Sequence, residues 1–147
     1  MARIILISCS KTQKQGLFMA RDLYQGKPFK QSLANAEAMV DAGRADHIYI
    51  LSTWYGLLDP RRVVANYNYM PANAKQWNAW AQMVMAQLVA KGHNLSKDKF
   101  VFLTTQKFYN RLVNPPRSFP QSIKKAIYYA DHQNEQQQRV WLLNQLP

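Results

Sequence analysis

The sequence predicts an α/β fold, a single-domain sandwich over residues 1–147 with a mostly parallel central sheet of about four strands flanked by helices. Two observations carry this. Short apolar runs of strand length alternate along the chain with longer segments whose apolar residues recur at helical spacing. In addition, 147 residues, 48% of them hydrophobic, match one ordinary domain able to bury a core, with no internal repeat and no linker-like stretch.

The elements follow in order. Arg3–Cys9 (RIILISC) is a continuous apolar run closed by Ser10, Lys11 and Thr12, the pattern of a strand buried on both faces. Lys30–Ala42 is rich in Ala, with Leu33, Ala36 and Val40 on one side and Gly43 as a stop, and so predicts a helix. His47–Ser52 (HIYILS) is β-branched and aromatic, a second strand ending at the turn-prone Tyr55-Gly56 and Asp59-Pro60. Asn73–Lys91 is the longest helical pattern, with Trp77, Trp80, Ala81, Val84, Met85 and Leu88 on its apolar face and Asn73 as N-cap. Phe100–Thr104 predicts a third strand, Gln106–Val113 a short helix ended by Asn114-Pro115-Pro116, and Ile127–Tyr129 a fourth, shorter strand. The Gln-rich tail Gln133–Leu146 has a helical pattern in Val140, Trp141, Leu143 and Leu146 and is expected to pack back on the sheet.

Charge narrows the function. Nineteen Lys and Arg against eight Asp and Glu give a formal net charge of +11, which points to a polyanionic partner. No apolar run approaches a membrane span, and the apolar stretch after Met1 is too short for a secretory signal, so a cytoplasmic protein without a membrane partner is expected. The single cysteine, Cys9, excludes an internal disulfide and a zinc site built from several cysteines. His47, His93 and His132 have no metal-ligand spacing, and the Asp131-His132 doublet points its side chains apart. No metal and no cofactor is expected.

In a parallel α/β sheet, ligands bind beyond the carboxyl ends of the strands. The loops Cys9–Lys14, Ser52–Asn68 and Thr104–Tyr109 are therefore where a site is sought. Ser8-Cys9-Ser10-Lys11-Thr12 brings hydroxyls, backbone N–H groups and an ammonium to a strand end, a set suited to a phosphate, although it lacks the glycines of a Walker loop. The plainer alternative is a polar strand terminus with one snorkelling lysine, and Cys9 reads as a small buried residue more than a nucleophile. Ser52-Thr53-Trp54-Tyr55-Gly56 delivers a hydroxyl and two aromatic rings, and Asp59 follows with a carboxylate, a combination that suits a stacked base and its sugar. Equally, Trp54 and Tyr55 fit a core, and Asp59 before Pro60 fits a turn.

Three segments resemble a small bacterial and phage domain family of unknown function. They are Ser8-Cys9-Ser10-Lys11-Thr12, Ala20-Arg21-Asp22-Leu23-Tyr24 with Phe29, and Ile50-Leu51-Ser52 through Tyr55-Gly56-Leu57-Leu58-Asp59-Pro60. More distantly they are similar to the YaaA peroxide-stress proteins, whose strand ends in Ser-Pro-Ala-Lys-Thr and whose Tyr-Gly is followed by Arg-Pro and later by Pro-Tyr. That larger family binds DNA, and its fold is similar to uracil-DNA-glycosylase-like α/β domains. The likeness runs in order over roughly residues 3 to 110. It departs at Asn66-Tyr67-Asn68, where the small family has Pro-Tyr-Asp, so that an amide stands in place of a carboxylate. It departs again in the brief segment between Lys11 and Asp22, which leaves no room for a separate helical DNA-binding element.

The resemblance implies a pocket built from Ser8, Cys9, Ser10, Lys11, Asp22, Tyr24, Ser52, Tyr55, Gly56, Tyr67 and Asn68. If it is catalytic, it implies N-glycosidic chemistry: Tyr55 or Tyr67 stacks the base, Asp22 or Asp59 activates water or stabilises the sugar cation, and Lys11 holds a phosphate. Around it, charge supports nucleic acid, DNA first. Residues 1–30 hold six basic residues, among them Lys11, Lys14, Lys27 and Lys30, against the one acid Asp22. Lys99–Ala130 holds six more, including Lys107, Arg111, Arg117, Lys124 and Lys125, with aromatics interleaved and no acid, and Arg61 and Arg62 follow the Asp-Pro turn. A non-catalytic DNA-binding or phage host-takeover protein, and an enzyme of small nucleotides, are the alternatives.

Overall fold

A computed structural model describes residues 1–129 and 134–147. Its main sheet has five strands: β1 (Arg3–Ser8), β3 (His47–Ser52), β4 (Gly56–Leu58), β6 (Lys99–Leu103) and β7 (Ala126–Tyr128). They lie in the order β4-β3-β1-β6-β7, with β3, β1, β6 and β7 parallel and β4 antiparallel to β3. The mostly parallel sheet expected from the sequence is present, with one strand more than the four expected. The addition is β4, a three-residue strand too short for period-2 patterning to reveal. β2 (Leu17–Met19) and β5 (Val63–Ala65) form a separate antiparallel ribbon, also unforeseen.

Helices cover both faces because the central strands are apolar on both. Ile4, Leu6, Leu51, Phe100 and Phe102 face α3 (Ala74–Ala90) and α4 (Gln106–Val113), which contribute Trp77, Trp80, Val84, Leu88, Phe108 and Leu112. Ile5, Ile7, Ile50, Val101 and Leu103 face α1 (Ala20–Leu23), α2 (Lys27–Asp41) and α5 (Glu135–Gln145). Each fully buried Leu, Ile or Phe contributes roughly 1.5–3 kcal/mol, so these two layers dominate stability. Asn73 caps α3 as its position predicts, its side chain accepting from the Gln76 amide at 2.9 Å. α2 begins earlier than the Ala-rich pattern indicates, because Pro28 suits a first helical turn: its fixed φ is helical and its missing N–H has no helical partner there. The tail packs back as expected, with Leu142 and Leu146 in the second core and Gln138 buried against Asn35 and Ser32. Gln133, Asp131 and His132 lie outside the described residues. No helix among the described residues is long and apolar enough to cross a membrane.

The crossovers determine where a site can form. The chain leaving β1 turns to α2 on one face, whereas the chains leaving β3 and β6 turn to α3 and α4 on the other. Adjacent loops diverge between β1 and β6, and a crevice opens at their carboxyl ends.

Candidate functional site

That crevice is a groove with two lobes. The smaller, about 260 Å³, lies between Ser8–Lys11 and the start of α2 at Gly26, Pro28 and Phe29, with Leu103 and Thr105 behind. The larger, about 390 Å³, shares Ser8–Lys11 and Thr105 and extends to Tyr67–Met70 and Lys107. Together they have the size and mixed lining of small-ligand sites.

Backbone and hydroxyl contacts knit the rim together. The Thr105 amide donates to the Ser8 hydroxyl at 3.0 Å, tying the ends of β6 and β1. The Gly26 amide donates to the Ser10 hydroxyl at 2.8 Å, and that hydroxyl donates to the Thr12 carbonyl at 2.9 Å. Gln13 links the same loop to Tyr67, whose amide donates to its side-chain oxygen at 3.0 Å. These bonds direct two helix N-termini, of α2 and α4, at the groove. Neither carries a side-chain cap and neither has an acid in its first turn, so their positive dipole ends line the groove together with Lys11 and Lys107.

Below Tyr67 runs a chain of hydroxyls. Ser52 donates to Tyr67 Oη at 2.8 Å while accepting from the amides of Trp54 and Tyr55, and Tyr67 Oη lies 2.7 Å from Tyr24 Oη. Burial pushes the Tyr24 phenol up to about 12 and the Tyr67 phenol up strongly as well, so both stay protonated at neutral pH. The Cys9 thiol sits beside the Tyr67 and Thr53 hydroxyls, and burial raises its pKa despite those bonds. It is a neutral, half-buried wall shared by both lobes.

The structure thus brings Ser8, Cys9, Ser10, Lys11, Tyr67 and Asn68 together, with Ser52 and Tyr24 supporting them from beneath. Four expected site residues stand elsewhere. Asp59 is at the opposite pole, because antiparallel β4 carries the chain back from the rim; it lines a cleft with His47 and Tyr49 and accepts from the Arg61 amide, the turn role foreseen as the alternative. Asp22 lies on α1, whose Ala20 and Leu23 point into the core, and sits 3.6 Å from Arg21. Tyr55 bonds the Ala65 carbonyl through its hydroxyl and packs edge-on against Tyr67, behind the groove. Gly56 is a backbone requirement: its φ is +75° and a Cβ there would meet Met83 and Gln87. Among the described residues lining the groove there is no Asp or Glu.

The family question is settled by one match, in which the model of a family of unknown function, DUF6884, covers residues 4–143. The chain belongs to DUF6884. No curated protein matches this DUF6884 chain.

The basic residues of this DUF6884 member divide between poles. Lys11 and Lys107 line the groove, and Lys27 and Lys30 are exposed on the first turn of α2. Arg111 follows Lys107 on α4, where it lies over the Trp77 ring and bonds Asn78. Lys14 lies over Phe18 and Arg62 over Tyr55. Arg61 lines the cleft at the opposite pole, and Lys124 and Lys125 precede β7 at the amino end of the sheet. Arg117 is exposed in the loop after α4. Among the described residues, ion pairs engage Arg3, Arg21 and Arg139 but no lysine, so lysine charge is uncompensated. Thr53, Thr105, Tyr69 and Met70 are groove residues that sequence reasoning missed. The signal for Thr53 and Thr105 was positional only, since each lies in a loop already marked as a strand end, and Tyr69 and Met70 follow directly on the Ser52–Asn68 loop.

Proposed function

We propose that the protein binds nucleic acid, DNA first, through the strand-end groove, with a phosphate held where α2 and α4 begin. One observation carries the reading: two uncapped helix N-termini meet hydroxyls and the lysines Lys11 and Lys107 in one groove that contains no described carboxylate. The net charge of +11 favours a polymer over a free nucleotide, because distant lysines add long-range attraction that a small ligand does not need.

The protein's own residues divide the work. Lys11 and Lys107 supply charge, the amides of the two helix starts orient a phosphate, and the ring of Tyr67, its hydroxyl held in the chain with Ser52 and Tyr24, walls the larger lobe. The N-glycosidic step implied by the resemblance needs a carboxylate near the sugar, and both Asp22 and Asp59 stand outside the groove. Binding without base excision is therefore the proposal.

Fluorescence anisotropy of labelled DNA at two salt concentrations, followed by alkaline treatment of the same DNA, tests it. Retention that weakens steeply with salt and leaves the strand intact is expected. Alkali-sensitive abasic sites would establish a glycosylase instead, and absence of retention at low salt would overturn the nucleic-acid reading.

A further inference from the structure

Resting on that reading, we infer that the groove takes single-stranded nucleic acid, with an unpaired base stacked on the exposed indole of Trp54 at the edge of the larger lobe. The four tryptophans are not alike. Trp77 and Trp80 are buried beneath α3, and Trp141 packs on Tyr129 at 5.0 Å. Trp54 remains 55% exposed, beside Tyr69 at 37% and Met70 at 61%.

This ring is exposed on a fixed support. It stands in the tight turn between β3 and β4, where the Ser52 hydroxyl accepts from the Trp54 and Tyr55 amides at 3.2 and 2.9 Å. Thr53 Oγ1 donates to the Tyr69 carbonyl at 2.8 Å, which joins the two segments, and the rings meet edge-on at 5.3 Å and 68°. With that contact made, more than half of the Trp54 surface stays exposed. An aromatic ring held this way offers a stacking surface at little ordering cost.

Charge identifies the occupant. Tyr69 and Met70 share the larger lobe with Lys11 and Lys107, so the apolar surface is continuous with the positive groove. A ring beside a cationic track is the arrangement that holds single strands, whose bases are free to stack, whereas a duplex keeps its bases stacked on one another. A protein partner matched to this surface would have to set apolar groups against Lys11 and Lys107.

The test compares three labelled probes of equal length, an oligothymidylate, the same backbone without bases, and a duplex, on the wild-type protein and on Trp54→Ala and Trp54→Phe. The wild type is expected to bind oligothymidylate about tenfold more tightly than the abasic strand and more tightly than the duplex. Trp54→Ala should erase the advantage over the abasic strand while leaving the salt dependence unchanged, and Trp54→Phe should restore part of it. Equal binding of the base-bearing and abasic strands, or a Trp54→Ala variant that keeps the preference, overturns the inference and leaves the binding reading standing. Self-association that Trp54→Ala abolishes, without strand discrimination, assigns the ring to a second copy and also overturns it. Failure of every probe to bind at low salt removes the proposed function itself.

Discussion

The backbone of Gly26 approaches Ser10 so closely that the Gly26 amide donates to the Ser10 hydroxyl at 2.8 Å, and a Cβ built on Gly26 would lie 2.6 Å from that oxygen. The φ of Gly26 is −62°, open to any residue, so the glycine is required for space and not for backbone freedom. This contact holds the start of α2 against the end of β1 and sets the width of the smaller lobe.

Gly26→Ala should therefore destabilise the protein by about 1–3 kcal/mol through overpacking. Ser10→Ala alone should cost about 0.5–1.5 kcal/mol from its lost hydrogen bonds. The double variant should lose less than the sum of the two, because removing the hydroxyl relieves the clash. Urea denaturation of the four proteins measures this, and strict additivity would refute the steric account.

Ser52 is completely buried, and its hydroxyl serves Tyr67 and two turn amides at once. Ser52→Ala leaves those groups short of a partner and should lower stability by about 1–3 kcal/mol. It also releases the turn that carries Trp54. Tyr24→Phe removes only the far end of the hydroxyl chain and should cost less, about 1 kcal/mol. Thermal unfolding of both variants checks the order.

His93 predicts a pH dependence. Burial lowers its pKa below 6.5, the neighbouring His47 and Lys91 lower it further, and Asp98 opposes them; its ring bonds Tyr49 Oη at 2.6 Å. The unfolded chain takes up this proton first, so the stability involved is fully present above about pH 6.5 and declines as pH falls through it. The midpoint of unfolding should drop between about pH 7.5 and about pH 5.5. His93→Gln should flatten that part of the profile, and an unchanged slope would remove the histidine from the account.

The two poles of basic residues make opposite predictions. Lys11→Ala with Lys107→Ala should reduce the slope of log affinity against log salt by roughly 1.4, about 0.7 per phosphate contact on a single strand. Lys124→Ala with Lys125→Ala, at the amino end of the sheet, should weaken binding less. Asp22→Asn and Asp59→Asn should leave binding intact or slightly tighter, since neither lines the groove. Anisotropy titrations over a salt series separate the cases.

By itself the sequence determined the elements with strong local signals. The RIILISC and FVFLT runs read as central strands because they are apolar on both faces, and the Trp77–Leu88 face read as a helix through its period. From alternation of strand and helix followed the parallel sheet, and from the sheet followed the rim on which Ser8–Lys11 and Tyr67 lie. Only the tertiary structure decided which rim candidates share a groove. The segment from Ser52 to Asn68 read as one loop, yet three-residue β4 carries Asp59 to the far pole and β5 brings Tyr67 back. Pairing of such short strands depends on long-range hydrogen bonds that leave no local period, so no reading of neighbours along the chain separates Asp59 from Tyr67. Exposure of Trp54 was settled at the same level, because the rings and turns that support it converge from segments distant in sequence.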